Sequence, residues 1–109
     1  MSTAFLSLQQ DIERCLKDNN YDLGDFTYFA KDPDFYQKVG IKVILVEDLT
    51  QVSYDSYGYE DTYLGLVFEF PEYDNILVLF EGKRSSFVGE EWYSYKEVEK
   101  KTKTISYYG

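Results

Sequence analysis

The chain has 109 residues, no histidine, a single cysteine and a formal net charge of -9. That length suits one hydrophobic core and is short for two domains, while the missing histidine excludes Ser-His-Asp and Cys-His triads and every histidine-ligated metal site. The 19% aromatic content argues for a folded chain in spite of the charge, because buried aromatic area offsets the entropy of ordering.

In chain order, the first predicted element is an amphipathic helix over residues 1–20. Phe5, Leu8, Ile12 and Leu16 fall on one stripe with Cys15 beside it, and Gln9, Gln10, Glu13, Arg14 and Lys17 lie opposite. Ser2 or Thr3 suits its cap, and Asn19-Asn20 its left-handed exit. Cys15, with no histidine to activate it, reads as a small core residue rather than a nucleophile. The following "DNNYDLGD" begins like a calcium loop but has Leu23 where glycine is needed and Phe29 in place of the bidentate glutamate. It reads as a helix exit followed by an Asx-type turn. Residues 21–40 are expected to be a loop with one short helix in "KDPDFYQKVG", capped by Asp32, starting at Pro33 and ending at Gly40.

From residue 41 to 108 the period changes to that of strands. "IKVILVED", "TYLGLVFEF", "NILVLFEG", "EWYSYKEV" and "TKTISYY" are β-branched or aromatic runs, with "PEYDN" as the hairpin turn between the second and third. The second and third runs are apolar at both parities, which asks for cover on both faces of the sheet. The expected fold is α+β: an N-terminal amphipathic helix packed on a bent five-stranded antiparallel sheet or SH3-like barrel, in a single domain.

Charge is uneven along the chain. Residues 43–82 hold nine acids and no base, so one negative side is expected on the folded molecule. Such a side steers basic partners and repels bare nucleic acid. Inside that stretch "YDSYGYEDTY" packs tyrosines among carboxylates around Gly58. It reads as a loop with wide strand shoulders between the first two strands, and exposed tyrosines are enriched at interface centres.

The candidate partner-binding residues are therefore Asp55, Tyr57, Tyr59, Glu60, Asp61, Glu72 and Asp74, the acids to pair with lysine or arginine and the tyrosines to supply anchoring area. Carboxylate doublets such as Glu90-Glu91 point to opposite faces of a strand and form no acid/base or metal site alone. "GKRSSFVGEE" lacks the glycine spacing of a phosphate loop and reads as a turn with Lys83 and Arg84 as a small basic spot. Trp92 reads as core plus sheet face. No enzyme activity, cofactor or metal is expected. With no apolar run of bilayer length and no signal-peptide pattern at the start, a cytoplasmic protein without membrane contact is expected.

"YGYEDTYLGLVFEF", "EEWYSYKEV" and "KTKTISYY" together resemble a loose group of small phage and prophage accessory proteins of unassigned function. The resemblance covers little more than half the chain, leaves out the N-terminal helix and carries no catalytic residue. It implies a viral origin. Combined with the acidity, the expected function is a phage-encoded, DNA-mimicking inhibitor occupying a basic nucleic-acid-binding surface of a host enzyme or defence complex. The alternative is an SH3-like assembly module that binds a peptide, or itself as a homo-oligomer, through its aromatic surface.

Overall fold

A computed structural model describes residues 2–32 and 34–99. Helix α1 spans Thr3–Asn19, capped by Ser2, whose Oγ accepts the Phe5 N–H. The same hydroxyl donates to the Glu97 carboxylate 2.8 Å away, fastening the helix start to the sheet. Phe5, Leu8, Ile12 and Cys15 form its buried stripe, and Asn20 ends it in the left-handed region at φ 55°. Burial pushes the Cys15 thiol pKa up, which suits a core residue.

Residues 21–40 hold two helices where the sequence suggests one. Helix α2, Leu23–Ala30, opens on a capping box: the Asp22 carboxylate accepts from Asp25 N–H at 2.8 Å, and Asp25 accepts from Asp22 N–H at 3.1 Å. Where an Asx-type turn is expected, those two carboxylates complete a helix start. Helix α3, Phe35–Val39, has Asp34 rather than Asp32 at its cap and ends at Gly40 with φ 76°, the exit expected. Asp32 instead accepts from the Asp34 N–H at 2.9 Å. The Pro33 assignment lies outside the described residues.

The strands β1 (Ile44–Asp48), β2 (Asp61–Phe70), β3 (Ile76–Ser85) and β4 (Gly89–Val98) form an antiparallel meander in the order β1-β2-β3-β4. β2 and β3 pair without interruption from Asp61↔Ser85 to Phe70↔Ile76. The "PEYDN" turn joins them, with Asp74 and Asn75 at positive φ. Among the described residues the sheet is open, with no pairing between β1 and β4. The expected barrel closure is not part of it, and the run "TKTISYY" lies outside the described residues.

One face of the sheet carries Leu66, Phe68, Phe70, Val78 and Phe80 against Phe5, Leu8, Ile12, Phe26 and Phe35 from the helices. The opposite face holds a smaller cluster of Val67, Leu79 and Val98. The two outer strands of the described sheet each contain an irregularity, between Leu45 and Glu47 in β1 and opposite Glu81/Gly82 in β4. Such bulges blunt a sheet edge against further pairing.

Two phenols stitch the frame together. The Tyr73 hydroxyl donates to Asp11 at 2.6 Å, tying the β2–β3 turn to α1, and the Tyr63 hydroxyl donates to Glu81 at 2.8 Å. Burial, and then the carboxylate beside each, raise both phenol pKa values, that of Tyr63 to about 12. A group whose folded pKa lies above the unfolded value stabilises fully below the unfolded pKa and loses that contribution as pH climbs through the folded one. The melting temperature is therefore expected to be insensitive to these phenols up to pH about 10 and to fall above it. Tyrosinate absorbance on unfolding checks it: between pH about 10 and 12, unfolding is expected to release the protons of these two phenols and raise the absorbance.

Candidate functional site

The acidic tyrosine run stands as its own small hairpin at one end of the sheet. The isolated bridges Gln51↔Tyr63 and Tyr54↔Glu60 define its two arms. Its tip is closed by Asp55 N–H to the Tyr59 carbonyl at 2.9 Å and Gly58 N–H to the Asp55 carbonyl at 3.0 Å. Asp55 Oδ1 also accepts from the N–H groups of Tyr57 and Tyr59, at 2.8 and 3.0 Å. Gly58, at φ 84°, takes the left-handed position that this turn requires. An aspartate at the first position of such a turn organises the backbone through its side chain, so Asp55 builds the loop as well as charging it. Tyr57 then projects with 84% of its surface exposed.

A second hairpin tip leans on the first. In the β3–β4 turn, Val88 N–H donates to Ser85 Oγ at 3.1 Å and Gly89 sits at φ 83°. Two backbone-directed bonds join the tips: Glu60 N–H to Ser86 Oγ at 2.8 Å and Ser86 N–H to the Glu60 carbonyl at 3.3 Å. The rings of Tyr59 and Phe87 meet with centroids 4.7 Å apart. Phe87 and Val88 remain 75% and 68% exposed, so two apolar side chains stand beside the tyrosines in open solvent.

Not all the acids there are available to a partner. Arg84 Nε donates to the Glu60 carboxylate at 2.8 Å, and its guanidinium also lies 3.6 Å from Glu90. Bonds from Thr62 and Arg84 hold the Glu60 carboxyl pKa below the usual glutamate value. The expected basic spot is thus half neutralised, and Glu60 serves mainly to lock the two tips together. Asp61 is exposed at the start of β2.

Glu72 and Asp74 belong to the opposite end of the molecule. They lie in the turn after β2, whose ten residues at about 3.3 Å each carry them roughly 30 Å from Asp61. Glu72 accepts the Lys42 N–H at 3.3 Å and lines a cleft of about 610 Å³ with Phe35, Tyr36 and Leu45. The structure therefore brings together Asp55, Tyr57, Tyr59, Glu60 and Asp61 and leaves Glu72 and Asp74 apart. The acids of residues 43–82 do not share one side either. The pairs Glu47↔Val67, Glu69↔Leu77 and Gly65↔Glu81 put three of them on the sheet face away from the helices.

Sequence reasoning missed Phe87, Val88 and Ser86. The available signal was a pair of large apolar residues inside a turn otherwise made of serine and glycine. Trp92 packs partly against the core, with its Nε1 donating to Glu90 at 2.9 Å, as core plus sheet face implied. Among the described residues no group of three acidic or cysteine side chains could hold a metal ion, and no helix is long and apolar enough to cross a membrane. The chain matches no family model, no curated protein and no solved structure.

Proposed function

We propose that the chain is a non-enzymatic binding protein that presents the double-hairpin tip to a basic surface of a partner protein. The observation that carries this reading is the contact of Tyr59 with Phe87, which joins two exposed tips into one aromatic platform. Asp55 and Asp61 beside it supply the charge. Tyrosine and phenylalanine in such a setting bury large area at small entropic cost, and flanking carboxylates raise the rate of encounter with lysine and arginine. In its narrower form the protein is a phage-encoded inhibitor in a host cytoplasm, competing with nucleic acid for a host protein's basic groove. The acid surplus of residues 43–82 and the resemblance of the C-terminal half support that form. The five-strand, SH3-like form of the fold belongs to the same reading.

Capture of basic proteins from a bacterial lysate on the immobilised chain is expected to weaken severalfold between about 0.1 and 1 M salt, as the screening length shrinks from roughly 10 to 3 Å. At low salt the double variant Asp55→Asn, Asp61→Asn should show a similar loss. Asparagine retains the Oδ1 acceptor, so the loop closure survives the first of these changes. Elution by duplex DNA would support the narrower form. Capture that ignores both salt and substitution counts against the whole reading.

One observation favours a second reading, assembly of copies of the chain: the apolar pair Phe87 and Val88 is as exposed as any interface would require. Light scattering that finds a stable oligomer with Tyr57 and Phe87 buried would select it.

A further inference from the structure

We infer that Phe87 is the anchor of the tip interface, and that the matching surface is an apolar cleft in a protein rimmed by lysine or arginine. The inference rests on the binding role proposed above and assigns the chemistry of the partner. Phe87 is held before any partner arrives. Tyr59 supports one side of its ring, the turn around it is closed by the Ser85 hydroxyl, and Ser86 is bonded in both directions to Glu60. A preorganised, exposed aromatic loses little conformational freedom on binding, which is the condition under which a single side chain dominates an interface.

The surroundings set the rim. Asp61 is exposed, and Asp55 commits Oδ1 to the loop while Oδ2 accepts no hydrogen bond from the described residues. Both carboxylates come from the arms of the hairpin that carries Tyr59, so a partner group approaching Phe87 meets negative charge at its margin. Arg84 adds little positive charge, because Glu60 and Glu90 flank it, and the exposed Lys83 stands opposite Glu91 in the strand register. An anionic bilayer or a nucleic acid is repelled by this arrangement, and a two-fold contact of tip on tip would set Asp55 and Asp61 against their own copies. A cationic apolar cleft satisfies both the ring and the acids.

Amide NMR with two short synthetic peptides as probes tests the assignment, one alternating lysine with leucine and the other lysine with serine. The lysine-leucine peptide is expected to shift the amides of Tyr57, Tyr59 and Ser86 to Val88, and to bind about tenfold or more tightly than the lysine-serine peptide. Phe87→Ser should erase that preference, and Phe87→Leu should restore most of it with Tyr59 still supported. If Phe87→Ser keeps the preference while the shifts stay at the tip, the anchor is wrong and the binding role stands. Shifts confined to the open face around Val67 and Leu79, or to Glu72 and Asp74, overturn both. Tip signals that change with protein concentration alone, or with phosphatidylglycerol vesicles, overturn the assignment of a basic protein partner.

Discussion

Phe80→Ala is expected to lower the unfolding free energy by about 3 to 5 kcal/mol, the largest effect of any single core truncation here. Phe80 is fully buried, and its ring stacks with Phe26 of α2 at 5.6 Å and with Tyr95 of β4 at 5.2 Å. Phe68 meets it edge-on at 5.6 Å. The side chain thus joins a helix, the adjacent strands and the sheet centre, and alanine would remove all of these ring contacts at once. Since a domain of this kind has about 5 to 15 kcal/mol in total, the variant should unfold at a much lower denaturant concentration with little change in slope. A midpoint shift worth less than about 1 kcal/mol would show that the ring stack is not the centre of the core.

The parts of the fold that could be read in the sequence are those where pattern and burial agree. Helix α1 has an unbroken apolar stripe, and β2 and β3 carry apolar runs around a turn of proline, aspartate and asparagine. Helix α2 could not be read in the same way. "LGDFTYFA" has glycine, threonine and three large side chains of poor helix propensity, and its helix is sustained by packing. Phe26 stacks on Phe80, and α2 approaches β4 so closely that a Cβ on Gly24 would lie 3.2 Å from Trp92. Apolar residues at both parities of the central strands point to a barrel, whereas the described strands form an open sheet. Glu69 and Glu81 share the parity of Val67 and Leu79, and a face that alternates valine and leucine with glutamate asks for only partial cover.

The site was half legible for a related reason. Local chemistry announces that Tyr57 and Tyr59 flank a glycine turn and are exposed, and Asp55 in that turn is an ordinary organiser of backbone. Nothing local announces that Ser86 bonds Glu60, 26 positions earlier in the chain, so Phe87 and Arg84 could not be joined to the tyrosines. Conversely, the separation of Glu72 and Asp74 from the tip follows from the length of β2. Acidity shared along a sequence is not acidity shared in space when a ten-residue strand intervenes.

Gly82→Ala is the substitution expected to disturb both stability and the tip. A Cβ at Gly82 would sit 2.4 Å from the Glu91 carbonyl oxygen and 2.9 Å from Trp92 Cα. Both are backbone atoms, so no side-chain rotation relieves the clash and β4 must shift where its pairing with β3 is already irregular. Overpacking of this kind costs about 1 to 3 kcal/mol. The consequence extends along the hairpin, because Gly82 precedes Lys83, Arg84 and Ser85, which pair with Glu91, Glu90 and Gly89 to form the base of the turn holding Phe87. Displacing that base loosens the contact between Phe87 and Tyr59 and the bonds of Ser86 to Glu60. Hydrogen exchange should therefore speed up at Ser86 and Val88 beyond what the global loss of stability explains, while the amides of α1 follow the global loss alone. An alanine variant that melts as the native chain does, with unaltered exchange at the tip, would mean that β4 accommodates the methyl group freely and that the two hairpins are not mechanically joined through the sheet.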